Sequence, residues 1–219
     1  MTNAARLSRR ERELNLRKEI ILEAAEEVFA VKGYYEASIE EIASRAEISV
    51  GSIYNLFVNK EALYLSLIER RVNDFLHSVM QGVEDGASAE EKLNRLLIGI
   101  FAYLEQHQAF FRLYVLTTHG LPWHVNSDMG ALLFAKYREL FNCVTQICQQ
   151  GKEEGVFETS APFSLALAIL GVSNAFLTNW VMGNKKKPLS SCLTDVRAHV
   201  SRLTRGERPS LADARGTDR

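Results

Sequence analysis

The chain has 219 residues, 47% hydrophobic and 24% charged, the balance of an ordinary globular protein rather than a disordered tail or a fibrous repeat. Lys plus Arg number 26 and Asp plus Glu 27, a net charge of -1, so a nucleic-acid partner has to be argued from local charge and not from bulk basicity. The three cysteines, Cys143, Cys148 and Cys192, are odd in number and stand at no metal-ligand spacing, which argues against a disulfide scaffold and for a reduced, cytoplasmic setting.

Only four prolines occur and none precedes Pro122, so long helices are expected. The first 18 residues hold six Arg or Lys against Glu11 and Glu13, with no apolar segment or cleavage site of a targeting signal. Such a basic arm either lies in a minor groove and along phosphates or is a solvated tail. Ile20, Ile21, Ala24, Ala25, Val28 and Phe29 repeat with helical period, and Gly33 ends that helix. Ser38 and Glu41 form a capping-box pattern for a short second helix with Ile39, Ile42, Ala43 and Ala46 on its inner face. A turn near Glu47 and Ile48 leads to Ser49, the expected N-cap of a third helix reaching about Phe57. Asn59 caps a fourth, whose apolar stripe runs from Leu63 and Tyr64 through Leu67, Ile68, Val72, Phe75 and Leu76 to Val79.

After a break over 82–86, Ser88 and Glu91 repeat the capping box, and Leu93, Leu96, Leu97, Ile100, Phe101 and Leu104 follow at helical spacing. A short helix over 108–118 and a loop over 120–127 precede a helix marked by Leu133, Tyr137, Leu140, Phe141, Val144 and Ile147. The next helix opens on Pro162, where a missing N–H costs little. It belongs to a stretch with no charged residue between Glu158 and Lys185, followed by Lys185, Lys186 and Lys187, as in a membrane span. Ser164, Ser173, Asn174, Thr178 and Asn179 interrupt it, and Ser164, Gly171, Asn174 and Thr178 share one face, so a helix buried inside a soluble protein is expected and no membrane. Leu193, Val196, Val200 and Leu203 mark a last helix, and residues 205–219 read as a disordered tail. No strand pattern is visible, and the fold class is all-α.

Residues 38–60, SIEEIASRAEISVGSIYNLFVNK, carry the functional signal. Two helices of this length bury too little apolar surface to fold alone and make sense as a helix-turn-helix braced on both sides. The second helix of such a motif enters the major groove with its first residues against base edges. Here those are Ser49, Val50, Gly51 and Ser52, all small. Gly inside a helix costs about 1 kcal/mol relative to Ala, and close approach to DNA is one reason to accept it. The alternatives are a packing contact with the preceding helix or a tolerated weak spot.

The segment resembles the DNA-binding motif of the TetR family of bacterial transcriptional regulators, through Ser38, Ser49, Gly51, Ile53, Tyr54, Phe57 and Lys60-Glu61-Ala62-Leu63. The match covers about residues 17–68. Two positions depart from the family pattern: Glu47 stands where the turn often holds Gly, and Asn55 where the aromatic pair is completed by Tyr or His. Asn pairs bidentately with adenine in a major groove, so Asn55 reads a base or is a solvated amide. The resemblance implies DNA contacts from Ser38, Arg45, Ser49, Val50, Gly51, Ser52, Tyr54, Asn55 and Lys60. The serines and helix starts face phosphates, and Lys60, unfavourably placed at a helix N-terminus, would meet one too. Over residues 1–60 nine basic residues face ten acidic ones, so the acids of the first helix must point away from DNA.

The resemblance further implies an N-terminal three-helix DNA-binding domain over 14–74, followed by a C-terminal helical bundle over 75–204 for ligand binding and dimerisation. The partners implied are a palindromic double-stranded operator, a second copy of the chain, and a small, largely apolar effector that relieves repression. The candidate pocket residues are Tyr103, Tyr114, His119, Trp123, Tyr137, Phe141, Asn174 and Thr178, drawn from an aromatic-rich middle. None of the five histidines pairs with Cys or acid at metal-ligand spacing, and no nucleophile elbow, phosphate loop or dinucleotide fingerprint occurs. Neither enzyme activity nor a metal or cofactor is therefore expected. The competing reading is a helical adaptor that binds only protein, or a protein anchored in a membrane through 162–184.

Overall fold

In the computed structural model the described residues are 8–84, 86–118, 128–183 and 188–206. The expected 120–127 loop, Lys185 to Lys187 and the tail from 207 on lie outside them. The described residues form helices only: α1 (Arg9–Glu36), α2 (Ile39–Arg45), α3 (Val50–Tyr54), α4 (Lys60–Glu84), α5 (Ala89–Gln106), α6 (Gln108–Thr118), α7 (Asp128–Glu153), α8 (Pro162–Met182) and α9 (Leu189–Thr204).

The first helix starts earlier than its apolar period suggests. Ser8 caps it by accepting from the Glu11 amide, and the Glu11 carboxylate accepts from the Ser8 amide. Arg9, Arg10, Arg12, Arg17 and Lys18 are therefore on a helix and not on a flexible arm. The signal was local: Ser8 and Glu11 have the same spacing as Ser38 and Glu41. Burial begins only at Ile21. Gly33 breaks the helix with φ +78° and turns Tyr34 back onto Phe29 and Tyr64, whose rings lie 5.0 Å apart edge to face.

The capping boxes place the next elements as their sequence requires. Ser38 Oγ accepts from the Glu41 amide, Ser49 Oγ from Ser52, Asn59 Oδ1 from Ala62 and Ser88 Oγ from Glu91, so each frayed helix start gains a partner. The third helix is shorter than expected, ending at Tyr54, because Asn55, Leu56 and Phe57 fold into a turn that drops the Phe57 ring into the core. Ile21, Leu22, Ala25 and Phe29 of α1, Ile42 of α2, Ile53 of α3 and Leu63 and Leu67 of α4 form the core of this part.

The turn between α2 and α3 is closed by two bonds: Ile48 N–H donates to the Ala43 carbonyl at 3.0 Å and Glu47 N–H to that of Ser44 at 3.3 Å. That is a Schellman termination, which puts its C′ residue in the left-handed region. Here that residue is Glu47, at φ +55°, the one non-glycine with positive φ among the described residues. A left-handed L-residue costs about 1–2 kcal/mol, and glycine returns about 0.4–1 kcal/mol of that as chain entropy in the unfolded state. Glu47→Gly is expected to stabilise by about 0.5 kcal/mol and Glu47→Val to destabilise by about 1 kcal/mol or more, read by urea denaturation. Equal stability of the two variants would show that this turn is not left-handed.

The long α4 joins the two parts of the molecule. Its first turns pack on α1, and Val72, Leu76 and Val79 further along enter the bundle of α5 to α9. The uncharged α8 is buried on one side only. Leu165, Ala166, Ile169, Leu170, Ser173, Leu177 and Trp180 face inward. Phe163 is 61% and Leu167 49% exposed, and Gly171 and Met182 lie on the same open side.

Candidate functional site

α3 is anchored by one fully buried residue, Ile53, with Val50 partly packed on the core, and its other side opens outward. Ser49, Gly51 and Asn55 are exposed, Val50 and Ser52 partly so, and Tyr54 is 50% exposed. A Cβ built on Gly51 would meet only Ser49 Oγ, at 3.9 Å. Packing against α2 is therefore no reason for glycine at this position, and the space it leaves opens outward. Ser49 Oγ and Ser52 Oγ lie 2.8 Å apart at the helix start. Arg17 of α1 joins them in a cleft of about 240 Å³ floored by Ile21, Ile48 and Leu56. Arg17 is remote from these serines in sequence, and only the fold brings it to the same cleft.

Two expected contacts already hold intramolecular partners. Arg45 pairs with Glu27 of α1 in an exposed ion pair, which is weak in water and exchangeable. Lys60 Nζ donates to the carbonyls of Ala37 at 3.0 Å and Tyr35 at 3.3 Å, and sits 4.8 Å from the centre of the Tyr34 ring. The carbonyl ends of α1 thus offset its unfavourable place at the start of α4, and a phosphate is not needed to account for this lysine. Ser38 is partly buried, its hydroxyl engaged in the α2 cap.

Three acids of α1 are drawn toward α4. Glu19 and Glu23 pair with Arg70, and Glu26 with Arg71, both arginines of α4. Arg71 Nε donates to Glu26 Oε2 at 2.6 Å, with both side chains largely buried. Burial opposes the Arg71 charge and Glu26 favours it, with a net rise of its pKa. The Arg71 carbonyl accepts from the Tyr103 hydroxyl of α5 at 3.1 Å. Burial pushes the Tyr103 phenol up to about 12, against the pull of Arg71. His107 packs on Tyr103 at 4.3 Å, and burial, then Arg71, lowers its pKa.

Beside this joint is an apolar cavity of about 120 Å³ between α4, α5, α6, α7 and α8. α4 contributes Val72, Phe75 and Leu76; α5 Ile100 and Leu104; α6 Phe110, Phe111 and Tyr114. α7 contributes Leu133, Lys136, Tyr137 and Leu140, and α8 Leu170, Ser173, Asn174 and Leu177. Of the residues singled out in sequence, Tyr114, Tyr137 and Asn174 line it. Tyr103 does not: its ring meets Phe75 edge to face at 5.4 Å, one layer behind the wall. Phe141 turns to Phe163 at 4.9 Å, toward the open side of α8, and Thr178 also lies off the lining. His119 and Trp123 fall outside the described residues. Lys136 escaped sequence reading, although its spacing from Leu133 and Leu140 put it on their stripe. Cys148 is buried, which pushes its thiol up to about 12 and leaves it unreactive.

A helix-turn-helix with a free reading face, braced by a helix that also walls an apolar cavity, defines a DNA-binding transcriptional regulator. The pattern described as "Bacterial regulatory proteins, tetR family" matches residues 21–67, and "YsiA-like protein, C-terminal region" matches residues 68–201. The chain belongs to the TetR family. Among its relatives, the "Fatty acid metabolism regulator protein" of Bacillus subtilis is 27% identical over 170 residues, 77% of this chain and 86% of that one. The structure of the fatty acid degradation regulator FadR from Bacillus halodurans superimposes with a TM-score of 0.74 at 25% identity, over 84% of this chain and 94% of that one. FadR from Bacillus subtilis, solved in complex with stearoyl-CoA, gives 0.73 at 24% identity over 87% and 99%.

Proposed function

We propose that this protein is a cytoplasmic, homodimeric repressor that leaves its operator when an acyl thioester of coenzyme A fills the cavity. The carrying observation is that Val72, Phe75 and Leu76 of the cavity wall belong to α4, the same helix that braces the reading head. An occupant that favours one position of α4 over another changes the spacing of two reading heads, and its differential affinity sets how far DNA binding falls. The name of the Bacillus subtilis relative supports an acyl ligand, and the almost wholly apolar lining suits an acyl chain.

The reading face consists of Val50, Gly51, Ser52 and Asn55, which meet base edges, and of Ser38, Ser49 and Tyr54 on phosphates. Arg17 joins these, and Arg45 exchanges Glu27 for a phosphate. Lys60 acts by fixing the end of α1. Residues 14–74 make the DNA-binding part and 75–204 the regulatory part. The dimer forms on the open side of α8, where Phe163 and Leu167 supply apolar area and Gly171 leaves room for a partner helix.

Sedimentation of the full chain at micromolar concentration is expected to give twice the chain mass, and Leu167→Glu to give monomer with much weaker operator binding. Operator sites selected from random DNA are expected to be two-fold symmetric and to be released by acyl-CoA. A folded monomer that binds an unsymmetrical site with full affinity would overturn this reading.

A further inference from the structure

The cavity that carries the proposed function is small, and its one charged lining residue is Lys136. An apolar cavity of about 150 Å³ holds a benzene, six carbon atoms. The 120 Å³ found here therefore suits about five. A chain of about eighteen carbons needs roughly three to four times that space, and buried walls such as Leu76, Ile100, Phe110 and Leu133 would all have to move. Close packing makes such movement costly.

Lys136 stands on α7 in register with Leu133, Tyr137 and Leu140, so its stem runs along the cavity wall. Its ammonium is 2.9 Å from Glu139, and both side chains are partly exposed, which places the charge at the solvent end of the cavity. An exposed pair three residues apart contributes little and is readily exchanged for a stronger anion. An apolar slot with a cation at its mouth matches a ligand with a short hydrocarbon tail and an anionic head.

We propose that the effector is an acyl compound of about four to six carbons with its chain in the cavity and its head oxygen on Lys136. This rests on the acyl-effector reading above and narrows it. The group on the ammonium is either the carboxylate of a free acid or, in a coenzyme A thioester, the acyl carbonyl, since the phosphates lie a pantetheine arm beyond the mouth; both present an oxygen acceptor, and the carboxylate is the stronger.

The test uses the full chain bound to its selected operator. Butyrate, hexanoate, butyryl-CoA, hexanoyl-CoA, palmitoyl-CoA below its micellar concentration, and coenzyme A alone are compared in DNA release and in thermal shift. Butyryl or hexanoyl compounds are expected to release the operator at the lowest concentrations, and the free acids against the thioesters identify which head the lysine holds; release by the free acids alone would replace the thioester of the reading above with a carboxylate. Lys136→Met is expected to weaken their action about tenfold while leaving effector-free operator affinity and melting temperature unchanged. Lys136→Arg is expected to restore most of it. Release by palmitoyl-CoA at much lower concentration than by hexanoyl-CoA would overturn the short chain while upholding an acyl effector. Full response in Lys136→Met would overturn the head assignment. If no acyl compound binds, the acyl-effector reading itself falls.

Discussion

Gly51→Leu is expected to lower specific operator affinity about 100-fold or more while the protein melts no lower than the parent. A leucine side chain at the centre of the reading face holds α3 away from the base edges, and losing two base contacts at about 1–3 kcal/mol each corresponds to that factor. The fold has no stake in the glycine, since a Cβ there meets only Ser49 Oγ at 3.9 Å. Leucine is also the better helix former, by about 0.8 kcal/mol. The contrast is Tyr54→Phe, which removes the hydroxyl proposed to meet phosphate and is expected to weaken all DNA sequences by a similar, smaller factor. Titration of labelled operator and of scrambled DNA, at one stated salt concentration, separates the two effects. Normal operator affinity in Gly51→Leu would mean that α3 does not enter the groove.

Glu26→Ala is expected to cost about 3–5 kcal/mol of folding stability, the effect of stranding one partner of a buried ion pair. Glu26 is 6% exposed and is the acid against which Arg71 closes, and the remaining acid nearby, Asp74, stands 3.9 Å from the guanidinium. For a chain of this size that is a fall of about 10 °C in Tm. Glu26→Leu combined with Arg71→Met is expected to recover most of the loss, because an apolar pair of similar volume carries no desolvation penalty. The double variant separates stability from signalling. It keeps α1 packed on α4 and removes the charge link between the reading head and the layer formed by Tyr103 and Phe75. A single variant Glu26→Ala that melts with the parent would show that the pair is solvated in solution.

The elements of this protein are set largely by its sequence. Ser38 with Glu41, Ser49, Asn59 and Ser88 each start a helix where spacing alone placed it, and the tetR family assignment follows from the 38–63 motif. These features are interactions within about four residues, and the chain carries them wherever it goes. Even the missed start of α1 was present locally, in Ser8 and Glu11. The left-handed turn at Glu47 was legible as a departure from glycine, and the Schellman bonds account for it.

The assignment of partners required the tertiary structure. Arg45 and Glu27 are 18 residues apart, and Arg71 and Glu26 are 45 apart. No periodicity links them, and whether Lys60 meets a phosphate or the carbonyls of Tyr35 and Ala37 depends on where α1 ends in space. The same holds for the cavity: aromatic residues at helical spacing mark an inner face, but Phe75 lies in the wall and Tyr103 behind it only because α4 and α5 cross as they do. Composition could not say which side of α8 is covered by its own chain, since an apolar residue buried by the fold and one left for a second copy obey the same hydrophobic energetics. Local hydrogen bonding fixes where helices begin and end, while their rotation and crossing, set by the packing of all of them together, decide which side chains share a site.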